Sequence, residues 1–88
     1  MFFENGVTVL TKLNCPQCVR VKRELKSNGV PFVEQQFTDD SLMWAKSVGH
    51  RSAPVVVVVN DGVIEMSECG YHPGIIHFAA EHFGADDE

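Results

Sequence analysis

Two cysteines, Cys15 and Cys18, stand two residues apart in Cys15-Pro16-Gln17-Cys18. Thiols at this spacing can exchange with a disulfide: one thiolate attacks a disulfide sulfur, and its neighbour resolves the mixed disulfide. The thiolate is the reactive form, whereas free cysteine, with a pKa of about 8.5, is mostly protonated near neutral pH. A helix N-terminus favours the thiolate, through unpaired N–H groups and a partial positive charge. Pro16 suits the first turn of a helix, where its missing N–H costs little. A helix beginning there puts Cys15 just ahead of the first turn and Cys18 inside it, with both sulfurs on one side. Cys15 is then the candidate nucleophile, with its sulfur free to stay exposed, and Cys18 the resolving thiol. Lys12 supplies a further positive charge.

The third cysteine opens a second reading. Cys15-x-x-Cys18 and Cys69-x-x-His72 together form a Cys₃His set with zinc-like spacing in each half. Structural zinc usually supports a loop-rich fold with little other core, and this chain has strong strand and helix patterns instead. Cys69 reads either as a small packed thiol or as a third redox-active thiol near the pair. His50, His77 and His82 show no ligand spacing with a cysteine and read as surface or structural residues. Trp44 reads as packing on a helix.

The elements that must position the pair follow from periodicity. Val7 to Thr11 alternates and is rich in β-branched residues, so it reads as a first strand. Cys18, Val21 and Leu25 then recur at helical spacing up to Asn28-Gly29, a helix stop. Pro31 to Phe37 reads as a second strand. Asp39 or Asp40 is the expected cap of a second helix that runs to about Val48. Val55 to Val59 has no polar face, as expected for a strand buried on both sides. Asn60-Asp61-Gly62 is a hairpin signal, and Val63 to Met66 returns as the fourth strand. Gly70 and Pro73 precede a last helix whose apolar face holds Ile75, Ile76, Phe78, Ala79 and Phe83. The order β-α-β-α-β-β-α predicts an α/β fold. The first two strands should be parallel, the last two an antiparallel hairpin, and helices should cover both faces of a mixed sheet.

The 88 residues, 44% apolar, fit a single domain over 1–88, with 1–6 and 84–88 as peripheral ends. The apolar start Met1-Phe2-Phe3 meets Glu4 at once, too early for an export signal, and no run reaches membrane-span length. The expected compartment is the cytoplasm, where thiols stay reduced. A net charge of −5 argues against nucleic-acid binding. Five of the seven basic residues (Lys12, Arg20, Lys22, Arg23 and Lys26) nonetheless cluster around the cysteine pair, while Asp86-Asp87-Glu88 is acidic. That cluster is either a solvated helix face or a field that favours the thiolate and steers an acidic partner.

The stretch Val9-Leu10-Thr11-Lys12-Leu13-Asn14-Cys15-Pro16-Gln17-Cys18 resembles the opening strand and active site of the glutaredoxin-like proteins of the thioredoxin superfamily, and among them the NrdH-redoxins. Gly49 to Val57 is similar to that family's Gly-x-x-x-Ala-Pro-Val-Val segment, and Glu68-Cys69-Gly70-Tyr71-His72-Pro73 keeps the glycine, aromatic and proline of its Trp-Ser-Gly-Phe-Arg-Pro. The resemblance runs from about Val7 to Phe83. It implies a thioredoxin-like fold with four strands and a cis proline at Pro54 against the cysteine pair. It also implies that the backbone of Ala53 pairs with an incoming peptide or thiol. By the same resemblance, Lys12, Pro16, Gln17, Ala53, Pro54, Gly70 and Tyr71 surround the docking surface, with Cys69 in a nearby loop. Glutathione-using relatives carry Thr-Val-Pro and a Gly-Gly-x-Asp turn. Here Ser52-Ala53-Pro54 and Cys69-Gly70-Tyr71-His72 stand instead, without that acidic residue. The implied activity is therefore a monomeric dithiol electron donor, reduced by thioredoxin reductase and passing electrons to a class Ib ribonucleotide reductase. A glutathione-dependent glutaredoxin is the alternative within this class. No bound cofactor or metal is called for on either redox reading.

Overall fold

A computed structural model describes residues 3–84. The acidic tail Asp86-Asp87-Glu88 lies outside the described residues. The elements are β1 (Gly6–Thr11), α1 (Pro16–Ser27), β2 (Phe32–Gln36), α2 (Asp39–Ser47), β3 (Val55–Asn60), β4 (Val63–Cys69) and α3 (Pro73–Phe83). They form one four-stranded mixed sheet in the order β2-β1-β3-β4. β1 runs parallel to β2 and antiparallel to β3, and β3 runs antiparallel to β4. This is the expected β-α-β-α-β-β-α arrangement.

Residue alternation along the strands sorts the core into two faces. Val7 and Val9 of β1, with Val56 and Val58 of β3, point toward Val21 and Leu25 of α1 and toward Ile75, Ile76 and Ala79 of α3. Leu10 of β1, with Val55, Val57 and Val59, points the other way, toward Ala45 of α2. The valine run is therefore buried on both sides, as its lack of polar residues predicts. Burying each such side chain contributes on the order of 1.5–3 kcal/mol.

Several boundaries differ from the sequence expectation. The cap of α2 is Thr38, not Asp39 or Asp40: its hydroxyl accepts from the Ser41 N–H at 3.1 Å, and Ser41 Oγ accepts from the Thr38 N–H at 2.8 Å. Asp39 and Asp40 instead occupy the first turn, where their charge favours the helix dipole. The helix stops at Ser47, with Val48 as its C-cap. β4 continues past Met66 to Cys69, because its partner strand runs back to Val55, opposite Cys69. A bulge between Val58 and Val59 absorbs one residue on the way. The N-terminal segment is less peripheral than expected. Gly6 already pairs with Val59, Asn5 Oδ1 accepts from the Gly62 N–H, and the Phe3 ring meets Trp44 edge-on at 5.0 Å.

Candidate active site

β1 ends at Thr11, and a short turn through Asn14, with φ of 55°, brings the chain to the start of α1. Cys15 is the N-cap of that helix. Its Sγ accepts from the backbone N–H of Cys18 at 3.1 Å, so the sulfur occupies the position usually filled by a serine or aspartate oxygen. Pro16 is the first helical residue, as expected. Cys15 and Cys18 are joined as a disulfide, with Cα atoms 5.2 Å apart. In this oxidised form Cys15 keeps 9% of its surface and Cys18 only 2%. Cys15 is thus more enclosed than the sequence suggests, because Ala53 and Phe37 pack against the pair. Of the two cysteines, Cys15 is the more accessible.

The peptide bond Ala53–Pro54 is cis. Ala53 is buried in one small cluster with Cys15 and Cys18, so the segment ahead of β3 sits against the disulfide. The turn after β4 closes over the same place. The Gly70 N–H donates to the Pro54 carbonyl at 2.8 Å. Gly70 has φ of 73°, a backbone conformation that favours glycine, and its Cα side faces the mobile end of the Gln17 side chain. Next to it, the Arg20 guanidinium lies 3.8 Å above the centre of the Tyr71 ring, tying α1 to the β4–α3 turn. Gln17, Ala53, Pro54, Gly70 and Tyr71 are thereby brought to one end of the sheet.

Two openings flank the disulfide. One is a depression of about 570 Å³ that includes Lys12, Leu13, Cys15, Pro16, Val19 and Lys22. Leu13 is 73% exposed at its edge. Lys22 of the basic stretch pairs with Glu34 at 3.0 Å. The other is a groove of about 620 Å³ between α2 and the segment leading to Ala53, with Phe37, Leu42, Ala45 and Val55 among its apolar walls. Sequence reasoning gave α2 no part in the site. The exposed, weakly amphipathic Leu42 and Lys46 were the available signal for this groove.

Cys69 is not in the loop but is the last residue of β4. It packs with Leu10, Val55 and Trp44 on the α2 face, in a different cluster from Cys15 and Cys18. Its thiol pKa is lowered, chiefly by a hydrogen bond with the Arg51 backbone and further by the side chain and backbone of Ser52, against a cost from burial. His72 is engaged within its own turn. Its ring lies over Gly74, and its Nε2 is 3.8 Å from Glu68 Oε1. Among the described residues no three His, Cys, Asp or Glu side chains gather in a way that could hold a metal ion. The proposed Cys₃His zinc set is not assembled. His50 is half-buried and shares a 2.9 Å hydrogen bond with Ser67 Oγ, a structural role.

The Glutaredoxin family model matches residues 7–64. The glutaredoxin-like protein NrdH of Salmonella typhimurium is 30% identical over 74 residues, covering 82% of this chain and 85% of its own. The chain belongs to the glutaredoxin family, among the NrdH-redoxins. The solved NrdH-redoxin of Escherichia coli, a glutaredoxin-like protein with a thioredoxin-like activity profile, superposes with a TM-score of 0.69 at 26% identity. That match covers 82% of this chain and 91% of the other. The thioredoxin of Plasmodium falciparum shares the fold, with a TM-score of 0.61 at 13% identity over 90% of this chain and 85% of that one. Proteins of this NrdH-redoxin type are thiol–disulfide oxidoreductases, and the chain carries its cysteine pair at the helix start that such chemistry needs. No helix among the described residues is long and apolar enough to cross a membrane.

Proposed function

We propose that this NrdH-redoxin is a cytoplasmic dithiol electron donor. It reduces disulfides of protein partners, foremost those of a class Ib ribonucleotide reductase, and is itself reduced by thioredoxin reductase. The observation that carries the reading is the Cys15 sulfur serving as the cap of α1 beside Ala53. In the reduced protein the same N–H groups favour the Cys15 thiolate. That thiolate attacks one sulfur of the partner's disulfide, forming a mixed disulfide and releasing the partner's other thiolate. The Cys18 thiolate then attacks the Cys15 sulfur, forming the Cys15–Cys18 disulfide and releasing the second partner thiol. Two electrons pass from the cysteine pair to the partner.

Lys12, Pro16 and Gln17 border the attacking sulfur in this proposal. Ala53, Pro54, Gly70 and Tyr71 form the opposite wall of the docking surface. Cys69 stays outside the cycle, because it packs in a separate cluster on the α2 face. The E. coli relative's thioredoxin-like activity profile supports thioredoxin reductase as the source of electrons. One observation favours a second reading, a glutathione-dependent glutaredoxin: Lys12 and Arg51 line the groove beside Ala53 and could receive carboxylates. The turn after β4 lacks the acidic residue that glutathione users of the family carry there.

The test is NADPH oxidation with thioredoxin reductase and an insulin disulfide as acceptor, run beside glutathione with glutathione reductase. Turnover with the first system alone is expected. Cys15→Ser should abolish it, and Cys69→Ser should leave it intact. Turnover confined to the glutathione system would overturn the assignment, as would undiminished insulin reduction by the Cys15→Ser protein.

A further inference from the structure

The chain carries a net charge of −5, yet the ionic side chains lining the groove beside Ala53 are all cationic. Lys12, Lys46 and Arg51 stand along it, all three exposed, with no acidic residue in its lining. Among the described residues none of the three is in an ion pair, in contrast to Lys22, whose charge is met by Glu34. Between these cations the groove is apolar, formed by Phe37, Leu42 and Val55. Lys12 also borders the depression over Cys15, so the two openings adjoin at that residue. A chain lying in the groove would therefore run past Ala53 to the attacking sulfur.

We infer that this groove holds the polypeptide stretch beside the partner's reactive cysteine, and that the stretch is acidic with interspersed apolar side chains. The inference rests on the dithiol-donor reading and adds the recognition element to it. Unpaired cations at the edge of an apolar groove attract carboxylates and raise the rate of encounter. The apolar walls need side chains to cover them, which a small charged disulfide would not supply. Selectivity thus resides in Lys46 and Arg51, which lie outside the cysteine pair and its immediate walls. The redox step is unchanged: the Cys15 thiolate breaks the peptide disulfide, and Cys18 resolves the product with release of two peptide thiols.

The experiment uses the full chain, reduced beforehand with dithiothreitol and freed of it, in single-turnover reactions. The probes are symmetrical disulfides of one cysteine peptide in three forms: Asp/Glu with Leu/Phe, the same with Asn/Gln, and the same with Lys. Bis(2-hydroxyethyl) disulfide and glutathione disulfide are run in parallel. At low salt the acidic peptide should be reduced about tenfold faster than the neutral one, and the preference should shrink toward unity as salt screens it. Lys46→Glu combined with Arg51→Glu should invert the order, so that the Lys peptide becomes the fastest of the three. Equal rates for the three peptides with the wild-type protein would overturn the inference, as would a preference that survives the double charge reversal. Glutathione disulfide reduced as fast as the acidic peptide, with the same sensitivity to the reversal, would make the groove a glutathione site instead. Failure of the wild-type protein to reduce even bis(2-hydroxyethyl) disulfide would count against the dithiol reading itself, which separates the two.

Discussion

On one face of the sheet, α1 and α3 lie together over Val7, Val9, Val56 and Val58, and Leu25, Val21 and Ile75 are fully buried between them. On the other face α2, with nine residues, lies alone over Leu10, Val55, Val57 and Val59. Ala45 is the buried apolar residue it contributes, while Leu42, Met43 and its C-cap Val48 remain exposed. Phe3, Phe37 and Trp44 complete this thinner layer. The first face is therefore where packing holds the fold together. The second leaves room for a groove at the active-site end, because a single short helix cannot close the sheet. Cys15 and Cys18 sit at the boundary: α1, anchored in the dense face, holds them, and they open beside the groove on the sparse one.

The difference can be broken most directly by paired truncations. Ile75→Ala removes a fully buried side chain from the dense face and should cost about 2–5 kcal/mol in urea unfolding. Leu42→Ala, 41% exposed on the sparse face, should stay within about 0.5 kcal/mol. Similar losses for the two would mean that the faces share the stabilising work evenly. An effect smaller than that of Ile75→Ala is expected from Thr38→Ala. It removes the hydroxyl that caps α2 and should cost about 1 kcal/mol. Hydrogen exchange should accelerate within α2 and remain slow in α1 and α3. Acceleration spread evenly over all three helices would show that the sparse face does not open on its own.

The smallest expected effect concerns the one cation of the depression that is already engaged. The Glu34 carboxyl is held below its ordinary pKa, chiefly by the hydrogen bond from Lys22 and next by that from Thr11. A carboxylate lowered in the folded state lends stability that is present above its unfolded pKa and is lost as pH falls through the folded value. Lys22→Gln should raise the Glu34 titration midpoint in an NMR titration. Its stability deficit against wild type, small because the pair is exposed, should fade in acid. An unmoved Glu34 midpoint would show that Thr11 alone holds the carboxylate.

Much of this was legible along the chain. The valine run could only be a doubly buried strand, and Asn60-Asp61-Gly62 could only turn it back. Cys15-Pro16 marked a helix start, since proline fits the first turn and little else in a helix. The end of β4 was less legible. Ser67, Glu68 and Cys69 are polar or small, and they extend the strand because Val55 to Val57 lies opposite with backbone groups to satisfy. The cap of α2 was misplaced by one or two residues, because Thr38 and the two aspartates all suit that position. Only the reciprocal bond with Ser41 separates them.

Local order was thus written in the sequence: which segments are strands and helices, where the cysteine pair sits on its helix, and which glycines turn the chain. These depend on neighbours within a few residues, so period and residue type suffice to determine them. What the tertiary structure decided depends on groups far apart in the chain. β3 lies beside β1, which sets Ala53 and its cis bond against Cys15 and Cys18. Gly70 approaches Gln17 from more than fifty residues away. Lys12, Lys46 and Arg51, unremarkable where they stand in sequence, line one groove. Cys69, spaced as a partner for His72, instead ends β4 opposite Val55 and packs on the α2 face. Pairing between distant strands has no local period to announce it, and that pairing is what made a site out of the motif.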